Sequence, residues 1–230
     1  TEHAHGNRLI YGLASNSTQQ HNATQNTLTH MHTIETKVYT LSELSPSARN
    51  RAREWYREGG LWDGDTVIED AQQCLAIAGF SIDRVYYSGF SSQGDGACFE
   101  GSWRSCDSKG AKAMKAHAPK DARLHAIAQE CARIAALYPF ASFTVVHRGH
   151  YSHEHCTDFS VSISNADGDE IDSPEAAAAS DALIEVARDA MRWIYRQLEA
   201  DYDWHNADEQ VDESIQVNGY TFTEDGKRFG

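Results

Sequence analysis

Apolar side chains recur at two different spacings along this chain, and these spacings predict its secondary structure. Stretches with an apolar residue every three or four positions predict helices at about 46–58, 65–78, 121–138 and 174–198. Shorter apolar stretches bounded by turn residues predict strands at about 37–41, 84–88, 97–103, 143–147 and 159–163. A terminal strand with Tyr220 and Phe222 is expected near the end of the chain.

Two of the predicted helices begin at the same signal, a serine followed by a proline. Ser45 and Ser173 are expected to be N-caps, because a serine hydroxyl can accept a hydrogen bond from an unpaired amide of the first turn. Proline at the next position also favours a helix start. Asn206 together with Glu209 resembles a capping box, which predicts one more short helix.

The strands are expected to pair as two hairpins. For the second hairpin, only one register puts both apolar triplets on the same side of the sheet, and its tip is then 149–157. The first hairpin is closed by a glycine-containing loop at 91–96. The triplets that face each other in the second hairpin are Phe143, Val145 and His147 with Phe159, Val161 and Ile163.

Helices interleaved with antiparallel hairpins predict the α+β class, with about five helices packed on the sheet. We expect a single α+β domain over residues 34–230, with an acidic, helical C-terminal third. Residues 1–33 are rich in Thr, Asn, Gln and His, which predicts a flexible N-terminal arm or extension.

Charge is distributed unevenly along the chain. The net charge is −14, and the last 66 residues hold 17 Asp or Glu against 5 Lys or Arg, which gives −12 for that part alone. Such a surface attracts cationic partners and repels phosphates, so we expect no direct nucleic-acid binding. The sequence contains no apolar segment long enough to predict a membrane span. Its five cysteines are scattered and do not predict a disulfide framework. We therefore expect a cytosolic location.

The acidic segment near the C-terminus is the predicted partner-binding surface. Carboxylates spaced along a helix can imitate nucleic-acid phosphates, and aromatic residues among them can act as anchors. The alternative is a solvated face with no binding role. The predicted contact residues are Glu199, Asp201, Asp203, Trp204, Asp208, Glu209, Asp212 and Glu213.

Donor side chains crowd residues 147–158 and could hold a zinc ion, although their spacing fits no standard zinc motif. Convergence on one ion would require the hairpin tip to fold back. The alternative places His147 in the sheet and the other residues in a solvated tip. The candidate metal ligands are His147, His150, His153, His155 and Cys156.

An enzymatic alternative combines both hairpin loops. Gln93 and Asp95 on the first loop and His147 on the second hairpin are the candidate catalytic residues. This arrangement requires the two loops to meet at one end of the sheet. Because Asp-Gly is also common turn chemistry, a purely structural role for Asp95 is the competing interpretation.

Three segments carry a resemblance to a known group of proteins: LSELSPSARNRAREWYREG at 41–59, YSGFSSQGDGACFEG at 87–101 and HRGHYSHEHCTD at 147–158. They resemble small bacteriophage and prophage proteins that bear an antitoxin-like label without an established activity. The resemblance implies a setting in which small acidic proteins disable host defence systems such as CRISPR effectors or restriction enzymes.

These observations lead to three functional hypotheses. The first is a phage-derived anti-defence protein, without enzymatic activity, that blocks a host defence protein or ribonucleoprotein effector through its acidic surface. The second is a metal-dependent hydrolase or nucleotide-modifying enzyme that uses the histidine-rich hairpin. The third is an antitoxin that neutralises a basic toxin.

Overall fold

Four antiparallel strands form the main sheet of this structure, a computed structural model that describes residues 34–60, 62–106 and 109–230. The flexible arm predicted for residues 1–33 lies outside the described part of the chain. Neighbours in the sheet follow chain order, with β1 at Phe80–Tyr87, β2 at Ala97–Arg104, β3 at Ser142–His147 and β4 at Thr157–Ser162.

Six helices are found among the described residues, and together with the sheet they confirm the α+β class. The compact unit that contains them is Lys37–Gly230. A short C-terminal hairpin pairs β5 (Thr221–Phe222) with β6 (Arg228–Phe229). The helices are α1 (Pro46–Glu58), α2 (Asp65–Ala76), α3 (Gly110–His117), α4 (Ala122–Leu137), α5 (Pro174–Asn206) and α6 (Asp208–Val217).

The buried face of the second hairpin is as predicted, but its register is shifted by two residues. The expected tip at 149–157 places His147 opposite Phe159, whereas His147 lies opposite Thr157. Phe143 lies opposite Val161 and Val145 lies opposite Phe159, so these side chains still share the face that packs on the helices. The alternation of apolar residues therefore determines which face is buried, but not which residues pair.

Helix α5 supplies the largest single contribution to the main core. It is 33 residues long and packs against β2, β4, α2 and α4. Trp103 of β2 is fully buried in the same core, and its indole donates a hydrogen bond to the Ala78 carbonyl over 2.8 Å. The apolar residues at helical spacing along α5 include the buried Leu183, Ala187, Met191, Ile194 and Leu198.

A second, smaller core joins the two ends of the compact unit. Helices α1 and α6 face each other across it, and Phe222 of the terminal hairpin is fully buried there. Arg228 lies over the rings of Trp55 and Tyr220, 5.2 and 4.8 Å from their centroids. The fully enclosed members are Leu41, Leu44, Ala48, Ala52, Val211, Ile215 and Phe222.

Both serine caps are confirmed, but the capping box is wrong. The hydroxyls of Ser45 and Ser173 accept from the third following amide at 3.3 and 3.1 Å. Asn206, by contrast, is the last residue of α5, and its side-chain amide donates back to the Tyr202 carbonyl. The helix runs past the predicted end at 198 because neither glycine nor proline interrupts residues 199–207.

Two short parts of the chain differ from the expected elements. Residues 37–41 were expected to be a strand, but only Tyr39 forms a bridge, to Phe222, and a single 3₁₀ turn follows at Leu41–Glu43. Helix α3 was not predicted, because its eight residues carry little apolar pattern apart from the buried Met114. In the part of the chain that the structure describes, no helix combines the length and apolarity needed to span a bilayer.

The turn at Gly226 provides a test of the second core. Gly226 has φ +84°, and a methyl group there would overlap the Ala48 carbonyl of α1. Gly168 has a similar φ of +89° but open space around it. Both Gly→Ala changes incur the cost of left-handed backbone. We expect G226A to lower the free energy of unfolding by about 1–3 kcal/mol more than G168A, because of overpacking.

Urea unfolding monitored by circular dichroism measures this difference directly. Equal losses in the two variants would contradict the close approach of the terminal turn to α1.

Candidate functional site

The two hairpin loops meet at one end of the sheet, as the enzymatic alternative required. A Cβ atom on Gly96 would lie 3.0 Å from the Ser152 carbonyl oxygen and 3.1 Å from the ring of His153. The tip of the second hairpin therefore folds back onto the first. Between the loops and α5 lies a pocket of about 260 Å³, whose lining includes Asp95, His153, Glu154, Arg192, Tyr195 and Glu199.

The Asp95 side chain stabilises the loop in which it lies. Its carboxylate accepts hydrogen bonds from the amides of Ser91 and Ser92, at 3.0 and 2.6 Å. The Ser92 amide is the main reason that the pKa of Asp95 is lowered. Gln93, the other candidate on this loop, is exposed. The contacts of Asp95 agree with the structural interpretation of the Asp-Gly turn.

His147 is held in place at the end of β3. Its ring stacks on Tyr86 with the centroids 4.4 Å apart, and its Nε2 donates to the Tyr151 carbonyl over 3.0 Å. The amide of His147 donates to Glu100. A ring nitrogen that donates to a carbonyl has no lone pair for a metal or a substrate proton. These contacts match the alternative in which His147 packs against the sheet.

Only part of the predicted metal cluster converges. Among the described residues, the side chains of His153, Glu154 and His155 form the one group of three donors within 4.8 Å of one another. His150 is exposed and contacts Tyr151, and Cys156 is half-buried. Glu154 lay in the predicted cluster but was not among its proposed ligands.

The buried cysteines do not have the character of nucleophiles. Burial raises the pKa of the Cys98 thiol to about 12. Cys74 lies 3.4 Å from the ring of His117, but burial raises its pKa as well. A nucleophilic thiol needs a lowered pKa, so these two residues are structural.

The predicted acidic surface divides into groups with different surroundings. Asp208 and Asp212 face α1, where Arg53 donates to both and Arg57 donates to Asp208 over 2.6 Å. The Arg57 contact is the largest cause of the lowered pKa of Asp208. These two carboxylates are neutralised within the molecule and join α6 to α1.

Two more of the predicted carboxylates lie on different sides of α5. Glu199 lines the pocket at the hairpin ends. Asp201 accepts a 2.7 Å hydrogen bond from the indole of Trp62 and lies 3.6 Å from His205. Because residues two apart on a helix point about 200° apart, Glu199 and Asp201 cannot belong to one docking face.

The remaining predicted contact residues are open to solvent. Asp203, Glu209 and Glu213 are exposed and form no ion pair with the described residues. Trp204 is 54% exposed, which is high for so large an apolar side chain. Its ring meets His205 edge-on at 4.7 Å.

Trp204 borders a groove of about 470 Å³ between α2 and the C-terminal half of α5. Further carboxylates lie along α2 and just before it, outside the partner-binding surface expected from the sequence. Their signal was present in the sequence, because no Lys or Arg occurs between Arg57 and Arg84. These exposed acids are Asp63, Asp65, Glu69 and Asp70.

The chain belongs to a family described as a domain of unknown function, DUF8835, whose model matches residues 62–208. No curated protein and no solved structure matches the chain. The matched region includes the sheet, α2 and α5, so the groove and the histidine cluster both lie inside it. Helix α1 and all but the first residue of α6 lie outside it.

The ion pairs of Asp208 predict a pH-dependent stability. A carboxyl whose pKa is lowered in the folded state stabilises the protein above its unfolded pKa of about 3.9, and this contribution is lost as the pH falls through the folded pKa. We expect D208N to have a lower free energy of unfolding than the wild type at pH 7, and the difference to narrow below about pH 4.

Urea unfolding of the two proteins between pH 3 and pH 7 measures this effect. D203N is the matched control, because Asp203 loses the same charge without an ion pair. A gap between D208N and wild type that does not change with pH would show that the arginine contacts contribute nothing to the lowered pKa.

Proposed function

We propose that this protein is a phage-derived anti-defence protein, anti-CRISPR-like or anti-restriction-like, that blocks a cationic nucleic-acid channel on a host effector. The surface that binds is the acidic groove, defined as the groove between α2 and α5 that Asp70 and Asp201 line, together with the exposed carboxylates Asp63, Asp65 and Glu69 on α2 and just before it. The observation that carries this proposal is the exposed ring of Trp204, which lies among carboxylates in segments of the chain that contain no Lys or Arg.

Charge supports this surface over the rest of the acidic segment. No Lys or Arg occurs between Arg57 and Arg84 or between Arg196 and Lys227, so α2 and the end of α5 contribute no cationic side chain to the groove. Asp208 and Asp212 are already paired with arginines and contribute much less. A field of this sign accelerates encounter with a basic channel and disfavours nucleic acid.

Trp204 supplies the apolar part of the surface. Tryptophan is enriched among the residues that dominate binding energy, because its large ring excludes water at the centre of an interface. Its neighbours Val67 and Ala200 extend the apolar floor of the groove. Asp70 and Asp201 flank it and can pair with Lys or Arg of a partner.

The biological setting comes from the sequence resemblance to phage and prophage proteins. An antitoxin that neutralises a basic toxin would use the same electrostatics and differ only in its target. The enzymatic alternative has less support, because Asp95 and His147 are occupied in local structure.

Charge reversal at the groove tests the proposal. We expect E69K/D70K to slow association with the partner about ten-fold, because two attractive charges on the α2 side of the groove become repulsive. W204A removes the indole ring and should weaken binding by about 2 kcal/mol. The immobilised protein is used to capture partners from bacterial lysates at low and high salt, and a DNA duplex is added as a competitor.

D167K/D181K is the matched control, because both residues are exposed and the net charge changes by the same amount. We expect capture of nucleic-acid-binding effectors that salt and the DNA duplex both release. Equal retention by the two double variants would refute the groove as the binding surface. Capture of a small basic toxin that DNA does not release would favour the antitoxin hypothesis instead.

A further inference from the structure

We propose that the side chains of His153, Glu154 and His155 form a binding site for a transition-metal ion of the zinc class, with one coordination position open to the pocket at the hairpin ends. This site is independent of the acidic groove. It rests on the spacing of the three donors, on the contact between His153 and Glu154 and on the charges around them.

The donor spacing fits a tetrahedral ion. Zinc binds imidazole nitrogen and carboxylate oxygen at about 2.0–2.2 Å, which places neighbouring ligand atoms about 3.3–3.6 Å apart. Nδ1 of His153 lies 3.1 Å from one oxygen of Glu154, and Nε2 of His155 lies 3.9 Å from the other. The two imidazole rings are nearly parallel, with centroids 5.4 Å apart. The ligand atoms of the three residues lie within 4.8 Å of one another, and an imidazole ring has to rotate for both nitrogens to bind one ion, because each lone pair lies in its ring plane.

The ring of His153 lies directly beside the Glu154 carboxylate. Its Nδ1 is 3.1 Å from one carboxylate oxygen and 3.3 Å from the His155 amide nitrogen. With a proton on Nδ1 the ring donates to Glu154, and with the proton on Nε2 the Nδ1 lone pair is available to a metal ion that the carboxylate also binds.

The carboxylate is buried and only partly satisfied. The Glu154 side chain is 12% exposed and receives one hydrogen bond from Arg192, over 3.3 Å. Arg192 is shared with Asp189 and lies 3.7 Å from Glu185, so its charge is spread over three carboxylates. Negative charge therefore remains at the site, and a divalent cation can balance it.

The turn that carries the donors is held rigidly. The Cys156 amide donates to the His153 carbonyl over 2.8 Å, and the Thr157 hydroxyl donates to the Glu154 carbonyl over 2.8 Å. Gly96 allows the first loop to approach this turn without a side chain between them. Donors held in place before binding lose little conformational entropy when an ion arrives.

Three protein donors leave a fourth position, which is typical of zinc sites that take a water or a substrate atom. Here His153 and Glu154 line the pocket of about 260 Å³ into which that position would open. Arg196 and Tyr195 of α5 line the same pocket, so an anionic group of a ligand could reach the ion and an arginine together.

Metal titration of the full chain tests the site. The protein is stripped with a chelator and then titrated with Zn²⁺ by calorimetry and with Co²⁺ by visible absorption, which reports tetrahedral coordination. We expect the wild type to bind one equivalent that H155Q and H153Q lose. Loss of a residue that only hydrogen-bonds to a metal ligand weakens metal affinity about 10–100-fold. Loss of a direct ligand should therefore weaken it at least as much.

The control is H150Q, which removes a histidine of the same loop outside the group of three donors and should bind like the wild type. His155 is 60% exposed, so H155Q should keep the fold, and circular dichroism verifies this. Identical titrations of wild type and H155Q would overturn the proposal. It would equally be overturned if NMR showed a charged His153 ring in a protein that takes up no stoichiometric metal.

Discussion

The apolar stripe of α5 determines where the polar groups of this molecule lie. Eight buried residues from Leu183 to Leu198 press one side of the helix against the core, and the helix cannot rotate without exposing them. Arg192 and Glu199 are thereby directed to the hairpin ends. Asp201 and Trp204 are directed to α2. One packed helix thus serves two separate surfaces.

Neutralisation inside the fold changes the meaning of the acidic segment. Seven carboxylates in residues 199–213 suggest one continuous negative face when they are counted along the chain. Arg53 and Arg57, about 150 residues earlier in the chain, reduce it by pairing with Asp208 and Asp212. These pairs contribute to holding α1 against α6 around the smaller core. The unpaired negative charge lies instead near α2, where no arginine is available.

Local pattern was sufficient for the parts of the fold that depend on period and on caps. The buried face of Phe143 and Val145 and the serine caps of α1 and α5 were predicted, because each depends on side chains close in sequence or on simple alternation. The register of that hairpin was missed by two residues, because alternation is unchanged by a shift of two. The end of α5 was missed because the sequence contains no stop signal, and the chain turns only at Ala207. The strand expected at 37–41 is reduced to a single bridge between Tyr39 and Phe222. These two residues lie near opposite ends of the domain sequence, so local pattern could not predict how far they pair.

The candidate sites were predictable as regions but not as sets of residues. Histidines crowded into one loop indicated donor chemistry, yet strand parity could not show that His147 would turn onto Tyr86 while His153 and His155 stack together. Which histidines come together depends on the loop folding back onto Gly96. Composition does not predict this contact. The acidic groove has the same origin, because α2 and α5 are each unremarkable acidic helices until packing brings Asp70 beside Asp201 and Trp204. Since the groove and the histidine cluster use opposite sides of α5, charge changes in one should leave the other intact, and each can be tested without disturbing its neighbour.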